Sequence, residues 1–271
     1  MQDDGHHDGL RRDLEELRRL KQRRQVLRWV LGAGVATAAG CQIAVDDSDG
    51  SGGGATNEDW ESGECTEIPE ETAGPYPGDG SNGKNALTLS GIVRNDIRTS
   101  LTGTGAEAEG IPLTVELTVI DTAEDCSPVE GYAVYLWHCD RDGNYSMYSS
   151  TVADESYLRG VQETNEDGVV RFTTIFPGCY SGRWPHIHFE IYPSLDEATD
   201  ASQKILTSQL AMPEDVCSEA YATEGYEASV DNLAGTSLES DNVFGDGASL
   251  QLATVTGNPT DGYVAKLVVA I

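Results

Sequence analysis

From Leu87 to the C-terminus the sequence advances in short stretches rich in β-branched and aromatic residues, each closed by Gly, Pro, Asp or Asn. LTLSGIVR, IPLTVELTVI, YAVYLWHC, VVRFTTIF, HIHFEIY, ILTSQLAM, LQLATV and YVAKLVVAI are the eight runs. Such side chains fill a pleated surface well, and turn residues at this spacing leave no room for a long helix. The pattern predicts an all-β protein, a sandwich of about eight strands with long loops. The Asp167-Gly168 turn, VVRFTTI and Pro177-Gly178 read as a hairpin-like unit, and the valine-rich end of the chain as a core strand closing one sheet. Between Glu214 and Asp246 the chain is polar, glycine-bearing and without clear period, which predicts loops with at most a short helical turn.

The chain ahead of these runs has a different character. Residues 10–28 are densely charged and pass into WVLGAGVATAA, which is shorter than the ~20 apolar residues a membrane-spanning helix needs. Ala38-Ala39-Gly40-Cys41 resembles a bacterial lipobox, with Cys41 as the lipidated residue, and Arg23-Arg24 resembles a twin-arginine signal. An amphipathic helix belonging to the fold is the competing reading. The expected division is an export signal over 1–41, a flexible acidic linker over 42–69 and a β domain over 70–271, exported and held to a membrane through Cys41.

Composition narrows the partners. The chain carries 17 Lys+Arg against 46 Asp+Glu, a formal charge of −29. A surface so acidic repels phosphate backbones, so nucleic acid is excluded as a partner. Cys65, Cys126, Cys139, Cys179 and Cys217 follow the lipobox. In an oxidising compartment they allow one or two disulfides, leave at least one thiol unpaired, and show no Cys-x-x-Cys spacing of a zinc site.

Chemistry concentrates between Tyr145 and Gln209. His186 and His188 stand two apart in an alternating run, so both imidazoles project from one face of a strand. Tyr180 and Arg183 precede them, and Tyr145 closes WHCDRDGNY. Singly, each has an ordinary structural explanation; together, two phenols and two imidazoles around an arginine form a ligand set. Phenol becomes a ligand by losing a proton with an ordinary pKa near ~10, which a strongly Lewis-acidic cation drives. Two phenolates and two imidazoles therefore favour Fe(III) over zinc. Two alternatives stay open: a copper or zinc site adding His138 or Cys139 to the same histidines, and a non-catalytic cell-surface binding module.

GPYP at 74–77, WHCDRDGNYS at 137–146, YLRGVQETNEDG at 157–168, FTTIFPGCYSGRWPHIHF at 172–189 and LTSQL at 206–210 together resemble the intradiol ring-cleavage dioxygenases. The likeness runs from about residue 70 to 271, and its densest part is Tyr-x-x-Arg-x-x-His-x-His. It implies a non-haem ferric enzyme that uses O2 to split a catechol-type ring between its hydroxyls, giving a cis,cis-muconate. Tyr145, Tyr180, His186 and His188 would be the metal ligands, Tyr180 the one displaced by substrate. Arg183 would stabilise charge developing on the ring, and Gln209 would line the pocket. The short connection between Tyr180 and His186, and the lack of an evident helical dimerisation domain, resemble an exported subgroup. Trp184 is either a pocket wall or a packing residue.

Overall fold

The computed structural model describes Trp60 and residues 63–271. The export signal, Cys41 and most of the linker lie outside the described residues. Among the described residues nine strands make two sheets. The first joins β1 (Pro112–Asp121), β2 (Ser127–Pro128), β5 (Val169–Ile175), β8 (Thr254–Asn258) and β9 (Gly262–Ala270). In it β9 runs parallel to β1, and every other pairing is antiparallel. The second sheet is antiparallel in the order β4 (Arg159–Glu163), β3 (Ala133–Trp137), β6 (His186–Tyr192), β7 (Leu206–Ala211). The predicted β-sandwich is therefore the fold.

The two sheets are buried differently, and that difference creates the site. Strand β1 alternates, with Leu113, Val115, Leu117 and Val119 inward and half-buried or exposed residues between them. They pack against Val134 and Leu136 of β3 and Ile187, Phe189 and Ile191 of β6, each such side chain contributing about 2 kcal/mol. Strands β3 and β6 are instead buried along their whole length. Their second face is covered by residues 86–101, whose Ala86, Leu87 and Ile92 cluster with Tyr135, Trp137 and Tyr192. The histidines belong to that covered outer face.

Four expectations change. LTLSGIVR is no strand: it wraps the outer face, packs Leu87 and Ile92 against it, and pairs with the sheet by backbone only at an isolated bridge, Val93 to Val161. LQLATV contributes only its last two residues to β8. The Asp167-Gly168 turn does not close a hairpin, because β4 and β5 lie in different sheets and the turn carries the chain between them. The polar segment after β7 holds two helices, α1 (Glu214–Tyr221) and α2 (Glu227–Ala234). Each spans only two turns, too short to imprint a clear period.

Attachment to the sandwich also begins before residue 70. Cys65 is disulfide-bonded to Cys126, Ile68 is buried, and its N–H donates to the Ala270 carbonyl. Cys139, Cys179 and Cys217 are free and buried. Among the described residues no helix is long and apolar enough to cross a membrane.

Candidate metal centre

Strand register places the first pair of donors. His186 and His188 face Ala211 and Gln209 of β7, and His188 faces Trp137 on the other side. Cross-strand partners share a face, so Gln209, His188 and Trp137 stand in a row on the covered side of the sheet. Trp137 stacks on His188 with ring centroids 4.9 Å apart and 5° between planes. Among the described residues His188 Nδ1 has no hydrogen-bond partner, so that stack sets the ring. His186 is set by hydrogen bonding: its Nδ1–H donates to the Trp184 carbonyl. A carbonyl only accepts, so Nε2 is left as a bare lone pair.

The phenols arrive on two loops that touch. Asp140 Oδ1 accepts from the N–H groups of Asp142 and Asn144, and its carbonyl accepts from Gly178. Gly143, at φ +83°, approaches Tyr180 so closely that a Cβ there would lie 3.0 Å from the tyrosine Cβ. This turn brings Tyr145 and Tyr180 to one place. Tyr145 Oη is 3.4 Å from Tyr180 Oη and 3.4 Å from His186 Nε2; Tyr180 Oη is 3.2 Å from His186 Nε2. The two histidine Nε2 atoms are 3.1 Å apart. Metal–ligand bonds of about 2.1 Å separate neighbouring donors by roughly 3.0–3.4 Å, so this spacing fits a single ion.

Electrostatics fit as well. Burial, then the Arg183 charge, pushes the His186 pKa down to about 3, and burial together with His186 and Arg183 holds His188 well below the usual imidazole value. Both rings are therefore neutral, the form that ligates. Burial pushes Tyr180 up to about 12 and Tyr145 well above the ordinary phenol value. Both phenols keep their protons until a cation replaces them. Among the described residues no three His, Cys, Asp or Glu side chains gather as a metal site. The side-chain donors closest to the two imidazole Nε2 atoms are instead the phenolic oxygens of Tyr145 and Tyr180.

The copper or zinc alternative loses its extra ligands. His138 Nδ1 meets the Cys139 carbonyl and Nε2 the Thr174 hydroxyl, each at 2.7 Å, and burial lowers its pKa to about 4. Cys139 Sγ turns to the Gly178 carbonyl. Trp184 packs rather than lining a pocket: it is buried with Ala211, Val243 and Phe244, and its Nε1–H donates to the Met212 carbonyl.

Arg183 and Gln209 are brought together, Nη2–H donating to Oε1 at 2.7 Å, while Gln209 Nε2–H donates to the Thr72 carbonyl. Sequence reasoning missed Asp241. Its Oδ2 accepts from Arg183 Nε at 2.9 Å and from the Trp184 N–H, and its Oδ1 from the N–H groups of Val243 and Phe244. It also missed Arg159. This guanidinium is fully buried and donates to the carbonyls of Tyr76, Pro77 and Ser146 and to the hydroxyls of Ser146 and Tyr135. Arg159 ties the GPYP loop to the residue after Tyr145. The length of YLRG's arginine was the available signal, since a fork of five donors can join several strands of backbone.

Comparison with known proteins gives a consistent result. The protein-family model described as Dioxygenase matches residues 92–190. Chlorocatechol 1,2-dioxygenase of Rhodococcus opacus is 39% identical over 54 residues, 20% of this chain and 21% of that protein, so the chain spans about a fifth of the curated relative it matches. The solved intradiol ring-cleavage dioxygenase of Tetranychus urticae superposes with a TM-score of 0.60 at 26% identity, covering 76% of this chain and 94% of that one. Another solved dioxygenase gives 0.61 at 26% identity, over 77% and 95%.

Proposed function

We propose, from the similarity of this chain to intradiol ring-cleavage dioxygenases, that it is a ferric enzyme of that family opening a catechol-type ring between its hydroxyls with O2. The product on this reading is a cis,cis-muconate. The observation that carries it is the gathering of Tyr145 Oη, Tyr180 Oη and His188 Nε2 around His186 Nε2, each 3.1–3.4 Å from it. These four side chains would hold Fe(III), which supplies Lewis acidity toward the two catechol hydroxyls and activates the ring toward O2.

The chain's own groups divide the remaining work. Tyr145 is fully buried while Tyr180 is only half-buried, so Tyr180 is the phenol free to turn outward. Its Oη takes up one proton from the entering catechol, which its raised pKa favours. Arg183, held by Asp241 and Gln209, offers a fixed cation to charge developing on the ring. The stacked Trp137 and the covering residues 86–101 exclude water from the back of the site.

Oxygen uptake with a panel of catechols tests the reading. The expected result is consumption of one O2 per ring, with both atoms of labelled O2 in an acyclic diacid. A ring-opened aldehyde, or no uptake with any catechol, contradicts it. Export through Arg23-Arg24 and anchoring at Cys41 are inferred from sequence alone. Radiolabelled fatty acid should enter the wild-type chain and be lost in Cys41→Ser; label retained in that variant removes the anchor.

A further inference from the structure

We propose that Ser229 and Asn232 of α2 clamp the peptide that precedes Tyr180, so that this phenol leaves and rejoins the donor cluster by turning its side chain alone. The inference rests on the ring-opening reading above, in which Tyr180 is the displaced phenol. It assigns two positioning residues that act on the cluster through Cys179. A group that departs and returns in every turnover needs a root that does not follow it, because each backbone torsion set free would have to be ordered again on return.

Ser229 and Asn232 stand three apart in α2, so their side chains share one face of the helix. Ser229 Oγ accepts from the Cys179 N–H at 2.9 Å, and Asn232 Nδ2 donates to the Cys179 carbonyl at 2.8 Å. Both backbone polar groups of the residue before Tyr180 are thus held by a single helix. Ser229 and Cys179 are buried, so an amide released there has no water to turn to.

The same stretch of chain grips the backbone on either side. Tyr221 Oη donates to the Pro177 carbonyl at 3.0 Å and Tyr226 Oη to the Phe176 carbonyl at 2.8 Å. Beyond Tyr180, Asp241 Oδ2 accepts from Arg183 Nε and from the Trp184 N–H. Tyr180, Ser181 and Gly182 lie between these anchors, in a turn where the Arg183 N–H donates to the Tyr180 carbonyl at 3.3 Å. Ser181 and Gly182 are exposed, and a Cβ on Gly182 would meet open space. Tyr180 itself is half-buried, with Oη 3.2 Å from His186 Nε2. A fixed root and an open outer side leave rotation about the side-chain bonds as the motion available to it.

Hydrogen exchange of the full-length protein before metal is added, read by mass spectrometry, tests the clamp directly. In Asn232→Ala, and further in the double variant with Ser229→Ala, amides of residues 179–184 should exchange about fivefold faster for each hydrogen bond removed. Once Fe(III) is supplied, the visible band of the variants should move part-way toward that of Tyr180→Phe. KM for catechol should fall, because the phenol is already partly displaced, and kcat should fall several-fold, because its return is slower. Val230→Ala, at a residue of the same helix that is 48% exposed, should leave all of these readings at wild-type values. Unchanged exchange at 179–184 overturns the clamp. So does a band and KM that stay at wild type while only the denaturation midpoint drops, the pattern of a purely structural contact. Should the double variant fail to fold, Asn232→Ala, at a partly exposed residue, decides by the same readings. A protein that takes up no iron or consumes no O2 with catechols tells against the ring-opening reading, while exchange at 179–184 still decides the clamp.

Discussion

Arg183 and Asp241 stand 58 residues apart in the chain and meet as an ion pair, Nε to Oδ2 at 2.9 Å, with the aspartate side chain fully enclosed. The pair fixes the Arg183 guanidinium beside the donor cluster and ties the loop after α2 to the segment that leads into β6. Removing one partner of a buried pair leaves the other uncompensated. Asp241→Ala should cost about 3 kcal/mol in urea denaturation. In Asp241→Asn, which keeps the shape, kcat/KM should fall by about a hundredfold through a misplaced Arg183. Unchanged kcat/KM in that variant would remove Asp241 from the positioning of Arg183.

The same pair sets an acid limit. Burial alone would raise the Asp241 pKa, but hydrogen bonds from Arg183, Trp184 N–H and Val243 N–H outweigh it and hold the carboxyl below its ordinary value of 3.8. The folded value is depressed, so this stabilisation is fully present above the ordinary carboxylate range and is lost as pH falls through the lowered value. Stability followed by circular dichroism between pH 6 and pH 2 should therefore drop more steeply in the wild type than in Asp241→Asn. Parallel curves would mean that the pair adds nothing to acid sensitivity.

Much of this architecture was readable in the residues, and its failures have physical causes. Alternation placed His186 and His188 on one face, and the runs of β-branched residues located β1, β3, β5, β6, β7 and β9. LTLSGIVR misled because its leucines and isoleucine are buried by draping over a sheet rather than by joining one. Strands β3 and β6, buried on both faces, gave no alternation to show which side held the site. In α1 only Cys217, Ala220 and Tyr221 are buried, a single stripe too brief to separate from loop sequence. Asp241 was illegible because a long-range ion pair leaves no local period. Tyr145 and Tyr180 stood out as candidate donors only jointly with the two histidines, because each phenol alone has an ordinary structural explanation and the turn that brings them together leaves no local period.

Arg159 offers a third test. Among the described residues no carboxylate oxygen lies within ion-pair reach of it, so its charge is satisfied by neutral oxygens alone. Arg159→Met strands these acceptors and should lower stability by about 3 kcal/mol. Gly78→Ala attacks the same contact from the other side. Its φ is +63°, and the new Cβ would stand 2.8 Å from Arg159 Nη1. A left-handed position adds about 1–2 kcal/mol of strain for an L side chain. Denaturation midpoints of both variants measure these losses, and wild-type midpoints would contradict the role given to the fork.

The Cys65–Cys126 bridge, at a sequence separation of 61, joins the first described segment to the turn between β1 and β2. In the chain-entropy picture such a loop is worth at most about 4 kcal/mol. Cys65→Ser with Cys126→Ser should fold with a lower midpoint, whereas serine at Cys139 should not reproduce the loss of a cross-link. Equal midpoints with and without reductant would show that the bridge contributes nothing.

The central claim is that two phenolic oxygens and two imidazole nitrogens share one ferric ion, and the metal content of the purified full-length protein, read alongside its visible spectrum, tests it most directly. The account predicts one iron per chain and a reddish tyrosinate-to-iron absorption that shifts in Tyr180→Phe. Stoichiometric zinc or copper with no visible tyrosinate band would contradict it.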